Sequence, residues 1–355
     1  MSAVTRKNRD GRKRARLISG KAGSLLRIVF SLAITFFGLL LVTFLIGRVL
    51  PIDPVLAAVG DRAPQDVYDR VREEMGLNLP LWQQFFIYIS NVVQGDFGQS
   101  VLTANPVIED IKRVFPATLE LATLATFIGV VLGIPAGVFA AINKGKWPDH
   151  VVRVIGLAGY SMPIFWLGLM GLLVFYMKLD WVAGPGRLDA FYIDFIEPTT
   201  GLMLIDTLIE GDMDLFWNAV SHIILPASIL AYFSLAYIAR MTRSFMLEQL
   251  SQEYILTARV KGISEHRIIW RHALGNVMVP LVTVIALSYA NLLEGSVLTE
   301  IIFAWPGLGL YITNSLLNAD MNAVLGGTVV VGAVFIGVNM LSDVLYRLLD
   351  PRARR

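Results

Sequence analysis

The sequence predicts an all-α integral membrane protein with six transmembrane helices. Three observations lead there. Of the 355 residues, 55% are apolar and only 16% charged, with a mean hydropathy of +0.62; a soluble domain carries roughly 25% charged residues. The apolar residues fall in blocks long enough to cross a bilayer, which takes about 20 predominantly apolar residues. Lys and Arg are sorted onto alternate connecting segments, the pattern that sets orientation in a membrane.

The elements follow in order. Residues 1–24 form a basic tail, with Arg6, Lys7, Arg9, Arg12, Lys13, Arg14, Arg16 and Lys21 against Asp10. The first span is predicted at 25–47. It is longer than the h-region of a signal peptide, about 7–15 residues, and no A-x-A site follows. Residues 48–116 read as an extracytoplasmic loop with short helices. In it, PQDVYDRVREEMG has an acidic first turn and a closing Gly76, ordinary helix start and stop signals. PLWQQFFIYISNVVQG has two readings: it lies along the interface, anchored by Trp82 and Tyr88, or it packs on the bundle. The transmembrane core is 117–348, with spans predicted at 117–141, 151–177, 221–240, 277–297 and 323–348 and a short tail at 349–355. Pro226 is expected to interrupt the start of the fourth.

Charge sets the topology. Loop 298–322 has no Lys or Arg, and loop 178–220 has Lys178 and Arg187 against Asp180, Asp189, Asp194, Glu197, Asp206, Glu210, Asp212 and Asp214. Those acids either help to dock a partner or keep the surface wet. The other side holds Lys144, Lys146 and Arg153, the basic segment 240–276, and Arg347, Arg352, Arg354 and Arg355. Both termini are therefore expected in the cytoplasm.

Catalytic chemistry is hard to place. There is no cysteine, and His150, His222, His266 and His272 lack metal-ligand spacing. The phosphate-cradling pattern G-x-x-x-x-G-K-[ST] is absent, its nearest fragment Gly145-Lys146 being followed by Trp147. No nucleophile–base pair suggests a membrane enzyme.

The segment EYILTARVKGISEHRIIWRHALGNVMVPL is the informative one. Each Arg or Lys of Arg259, Lys261, Arg267 and Arg271 would cost about 2.5–3.5 kcal/mol at the bilayer centre, so the segment lies outside it. Two short helices hinged at Gly262 are expected, the second with Ser264 as N-cap. Thr257, Ala258 and Gly262 would let another backbone approach, with Arg259 and Lys261 at the rim. Such a surface suits a partner's groove; the bland alternative is an amphipathic helix resting on anionic headgroups.

The segment resembles the cytoplasmic EAA loop of importer-type ABC permeases, Glu-Ala-Ala, three residues, then Gly. Thr257 and Ala258 take the Ala positions, Gly262 takes the Gly, and Leu256 replaces the Glu. GDFGQS at 95–100, PATLELATLATFIGVVLGIPAGVFAA at 116–141, SMPIFWLG at 161–168, VSHIILPA at 220–227, RMTRSFMLE at 240–248 and TEIIFAWPGLG at 299–309 are similar to the dipeptide/oligopeptide permease family, first-subunit type.

The resemblance implies the type I ABC importer permease fold and no cofactor on this chain. It implies a second six-helix permease subunit and two ATP-binding subunits that hold ATP and Mg. It further implies an extracytoplasmic solute-binding protein, a di- or oligopeptide substrate, membrane lipid but no nucleic acid, and the bacterial inner membrane. Thr257, Ala258, Arg259, Lys261, Gly262 and Ile263 would couple to the ATPase. Related permeases also carry nickel, glutathione, opines or oligosaccharides. An ion-coupled secondary transporter is the rival class and would usually show inverted repeats or discontinuous helices; no internal repeat is evident.

Ionisable residues at membrane depth are functional candidates by default. Glu120 and Glu294, with Asn291 one turn before the latter, are the translocation-path candidates. Asp343 is expected to pair with Arg347. Gly129, Gly133 and Gly137, and Gly326, Gly327, Gly332 and Gly337, are expected to allow close contact with the second permease.

Overall fold

The computed structural model describes residues 30–47, 54–60, 62–196 and 198–349. The basic tail 1–24, the C-terminal tail and the side chains of Asp343 and Arg347 lie outside the described set. Every regular element in it is helical.

Two long helices form the spine. These are α5 (Val107–Ile142) and α9 (Met213–Leu250), of 36 and 38 residues. At 1.5 Å per residue each is about 55 Å long, well beyond a hydrocarbon core of about 30 Å, so both project from the membrane. They meet along a stripe with a residue from α5 every four positions. A Cβ on Gly129 would stand 2.4 Å from Ser234 Oγ, and one on Gly137 only 2.5 Å from the Ala239 carbonyl oxygen. Only hydrogen at these positions lets the two backbones close.

The stripe therefore packs within the chain and not against a second subunit. The same correction holds for α15 (Met321–Leu349), where Gly326 abuts Val107 and Phe97, Gly327 abuts Ile312, and Gly332 abuts Leu39 of α1 (Phe30–Gly47). Gly337 meets nothing within 4 Å.

Pro226 lies inside α9, which starts upstream at Met213 with Asp212 accepting from the Asp214 and Leu215 amides at 2.9 and 3.0 Å. Membrane helices tolerate such a proline because neighbouring groups re-satisfy the freed carbonyl. The third predicted span, by contrast, is broken. α6 (Trp147–Ser161) and α7 (Ile164–Gly171, running on in π-helical turns to Lys178) meet at 98°. Met162 precedes a proline and is extended at φ −87°, ψ 128°, because a proline ring clashes with a helical predecessor. Among the described residues, five unbroken helices are long and apolar enough to cross a membrane, and this bent pair, taken as one span, makes a sixth.

The short helices lie at the two ends. Near α1 are α2 (Pro54–Val59), α3 (Gln65–Glu74) and α4 (Leu81–Val93). α4 packs on the bundle: Phe85 lies among Leu40, Phe44 and Val329, and Tyr88 meets the Thr43 hydroxyl at 3.1 Å. Its opposite face, with Trp82 and Phe86, is exposed. Further along come α8 (Met203–Glu210) and α10 (Glu253–Val260). The turn α11 (Glu265–Arg267) runs through a π-helical stretch into α12 (Leu274–Gly295), followed by α13 (Val297–Ile302) and α14 (Leu308–Leu317).

The second expected short helix is thus the continuation of the fifth span, which extends from Glu265 to Gly295. Its charged turns project beyond the apolar part, and no break is needed where the backbone stays helical from Glu265 onward.

Candidate functional site

α10 is held at one end of the bundle by its own apolar side. Ile255 and Ala258 are buried with Val138 and Ala141 of α5, Ile238 and Met246 of α9, and Ile268, Val277 and Leu281 of the fifth span. Ala258 is 8% exposed and packs inward within the chain. Leu256 and Val260, one turn apart, point away at 62% and 82% exposure. Thr257, Lys261 and Gly262 share that exposed side.

The turn after α10 is a Schellman cap. Gly262 N–H donates to the Arg259 carbonyl at 2.9 Å, and Ile263 N–H to the Ala258 carbonyl at 3.1 Å. Ile263 then packs into the same cluster as Ala258, the apolar contact that accompanies this motif. Gly262 has φ +76° and open space around it, so glycine is needed for backbone conformation and not to avoid a neighbour within the chain. Arg259 forks onto Glu265, Nε to Oε1 at 2.7 Å and Nη2 to Oε2 at 3.2 Å, a solvent-exposed bridge between α10 and the fifth span.

Behind this turn lies a second ion pair. Arg243 of α9 grips Asp149 of α6 through Nε and Nη2 at 2.6 and 2.8 Å, with the Asp149 side chain 1% exposed. It ties the start of the broken span to the spine.

At the opposite end the three path candidates separate. Asn291 and Glu294 are exposed on one face of α12, and Glu294 borders a cavity of about 200 Å³ with Phe115, Thr118 and Val297. Glu120 is buried. It accepts from Arg187 Nη2 and from the Leu204 amide, while Arg187 also donates to the Gly201 carbonyl and lies 5.4 Å over the Trp305 ring. Glu120 therefore anchors the 187–204 loop to α5, a contact in keeping with a structural role.

Glu300 was not among the candidates. It is fully buried, accepting from Thr118 Oγ1 at 2.8 Å, Ser296 Oγ at 2.9 Å and the Leu310 amide at 2.9 Å. It caps the first turn of α14, where amides are unpaired and a negative charge is favoured. Burial pushes its carboxyl above the ordinary range, partly offset by those donors. A Cβ on Gly307 would lie 2.5 Å from its Cδ, which explains a glycine there. An acid inside the apolar run VLTEIIF was the available signal. Asp320, which accepts from Ser100 Oγ at 2.5 Å, and Asp206, which accepts from the Thr200 and Gly201 amides at 2.8 Å, are buried in the same way. Several acids of these loops are thus internal acceptors, a role that neither sequence reading of them included.

Residues 133–355 match the model of the binding-protein-dependent transport system inner membrane component, and residues 23–122 match that of its N-terminal part. The chain belongs to this family. As a binding-protein-dependent permease component it is similar to the di/tripeptide transport system permease protein DppB of Pseudomonas aeruginosa, 45% identical over 322 residues, covering 90% of this chain and 95% of that one. It is 43% identical over 321 residues to the probable D,D-dipeptide transport system permease protein DdpB of Escherichia coli K12, covering 90% and 93%. The dipeptide transport system permease protein DppB of the same strain is 44% identical over 324 residues, covering 90% and 95%. The chain is thus a DppB-like ABC permease, a multi-pass protein of the inner membrane. One broken span does not make this permease component a secondary transporter, since the break sits at Pro163, whose ring bars a helical predecessor.

Proposed function

We propose that this permease subunit carries di- or oligopeptides inward, driven by ATP that partner chains hydrolyse. One observation carries the coupling: a short helix buried on one side and capped by a left-handed glycine presents Leu256, Val260 and Lys261 on its exposed side. A surface of that size and shape fits a groove on an ATP-binding subunit. Two such subunits would hold ATP and Mg, while this chain supplies no catalytic group. A second six-helix permease would complete the pathway, and an extracytoplasmic binding protein would deliver cargo to the end opposite α10. Both termini then lie in the cytoplasm with α10, in line with the basic residues there. The names of the similar proteins support peptide as cargo over nickel, glutathione, opines or oligosaccharides.

The mechanism follows from the packing. α10 shares one buried cluster with α5, α9 and the fifth span, so displacing it moves all three helix ends together. Closure of the ATPase pair would push on this knuckle and switch the bundle from inward-facing to outward-facing.

Two measurements test the reading. A cysteine at position 261 of this cysteine-free chain should cross-link to an ATP-binding subunit in membranes; capture of lipid alone, with cargo still accumulating, sinks it. Proteoliposomes holding the full assembly should take up labelled dipeptide on ATP addition. Uptake of nickel or a sugar in its place would transfer the cargo assignment.

A further inference from the structure

α4 carries no charged side chain, and the residues outside its packed face divide into two flanks. Trp82, Phe86 and Val93 form one flank, at spacings that fall on a single stripe of an α-helix, and are 62%, 63% and 78% exposed. The other flank holds Ile87 and Asn91, which line a recess of about 540 Å³ together with Glu73, Glu74 and Asp96. Gly47 and Met321, the end of the first span and the start of the last, lie on the wall of that recess. The polar flank therefore turns toward the span ends, and the apolar stripe turns away from them.

The level at which α4 packs is given independently by two spans. Phe85 meets Phe37 edge-on with ring centres 5.6 Å apart, and Phe44 at a tilt with centres 5.2 Å apart. Counted back from Gly47 at 1.5 Å per residue, these rings stand about 15 and about 5 Å inside the first span. Phe85 also packs with Val329, which by the same rise lies about 12 Å along α15 from Met321. Half of a hydrocarbon core is about 15 Å. α4 thus lies beside the apolar parts of both spans and not above their ends.

We propose that α4 is an in-plane membrane anchor, its Trp82–Phe86–Val93 stripe covered by acyl chains of the leaflet opposite α10. In-plane helices bury an apolar side about 5–10 Å into the boundary between headgroups and chains, a depth within the range that both spans give. Acyl chains are the occupant because the stripe continues through Phe37 onto the exposed apolar side of the first span, at Ile34 and Phe30, which a bilayer has to cover. Left in water, the stripe would be an apolar patch on a helix without a single charge to offset it. Tyr88 is not part of the anchor, since its hydroxyl turns inward to Thr43. The placement stands on helix packing and does not rest on the cargo reading.

The test uses the complete transporter in phosphatidylcholine liposomes. The chain has no cysteine, so Phe86→Cys, Val93→Cys or Glu73→Cys each accepts one nitroxide label, and the unsubstituted assembly labelled in parallel gives the background from partner chains. Relaxation of the label by oxygen, which concentrates in lipid, is compared with relaxation by a water-soluble nickel chelate. Phosphatidylcholine bearing the nitroxide on its acyl chain supplies the membrane reference. Labels at 86 and 93 should match that lipid, with relaxation by nickel lost, while the label at 73 on α3 should be relaxed by nickel. Nickel relaxation at 86 and 93 as strong as at 73 puts the stripe in water and overturns the proposal. Weak relaxation by both reagents overturns it as well, because a protein then covers the stripe. ATP-driven uptake by each labelled assembly, measured in parallel, reports the transport reading separately, and the two stripe positions guard against a variant that fails to assemble.

Discussion

Replacing Gly262 separates two roles that one residue plays. At φ +76° an L side chain costs about 1–2 kcal/mol, with Asn and Asp the best tolerated because their short polar side chains bond locally. A Cβ there meets nothing within 4 Å, so inside the chain this strain is the whole cost. Valine should lose about 2 kcal/mol from a cap made of two hydrogen bonds and the Ile263 contact. That lowers the ratio of capped to uncapped α10 by roughly 30-fold relative to glycine. Aspartate pays the smaller strain and keeps the cap, but sets a carboxylate on the exposed side. If coupling requires only the cap, Gly262→Asp should transport well and Gly262→Val poorly. If a partner backbone rests on this glycine, both should insert normally, hydrolyse ATP in the assembly and fail to drive uptake. We expect the second outcome, read as peptide uptake per ATP hydrolysed in proteoliposomes. Full transport by Gly262→Asp would refute the assigned role.

Four further outcomes are expected. Asp149→Asn strands Arg243 beside a buried amide and should cost about 3 kcal/mol, seen as an earlier thermal transition in detergent; an unchanged transition would show the pair to be idle. Gly137→Ala places a methyl 2.5 Å from a backbone oxygen and 2.6 Å from Thr242 Cβ, neither of which can yield, so overpacking of about 1–3 kcal/mol should reduce the folded fraction. The Glu300 carboxyl is raised by burial, so its native form holds the proton more tightly than the unfolded chain does. The stability it contributes is full below the ordinary carboxylate pKa and is lost as pH rises through the raised native value. The melting difference between wild type and Glu300→Gln should therefore move against the wild type as pH rises, and a flat difference would contradict this. Glu294→Gln should lower uptake of cationic peptides without lowering ATPase assembly, and unchanged selectivity in competition uptake removes Glu294 from the path.

Much of the coupling turn is legible before folding. Gly262 after a helical stretch, with Ile263 behind it, is a stop signal that composition and spacing announce. Which side of α10 faces inward is not legible, because Ala258 and Thr257 are equally small. Burial of Ala258 is decided by where α5 and α9 end in space. Glu120 shows the same limit: its depth was readable, but its neutralisation by Arg187 depends on a loop partner 67 positions away.

By itself, the sequence determined the number of spans, the sorting of charge and the presence of a basic element between the fourth and fifth. Each of these follows from local transfer free energies, which add residue by residue along the chain. Tertiary structure alone decided that the glycine stripes close on neighbours within the chain and that the third span bends at Pro163 through 98°. It alone also decided that Glu300, Asp320 and Asp206 face inward. Those outcomes depend on which surfaces meet, and a packed pair of helices is selected by the fit of both partners at once. No property of either helix read alone contains that fit.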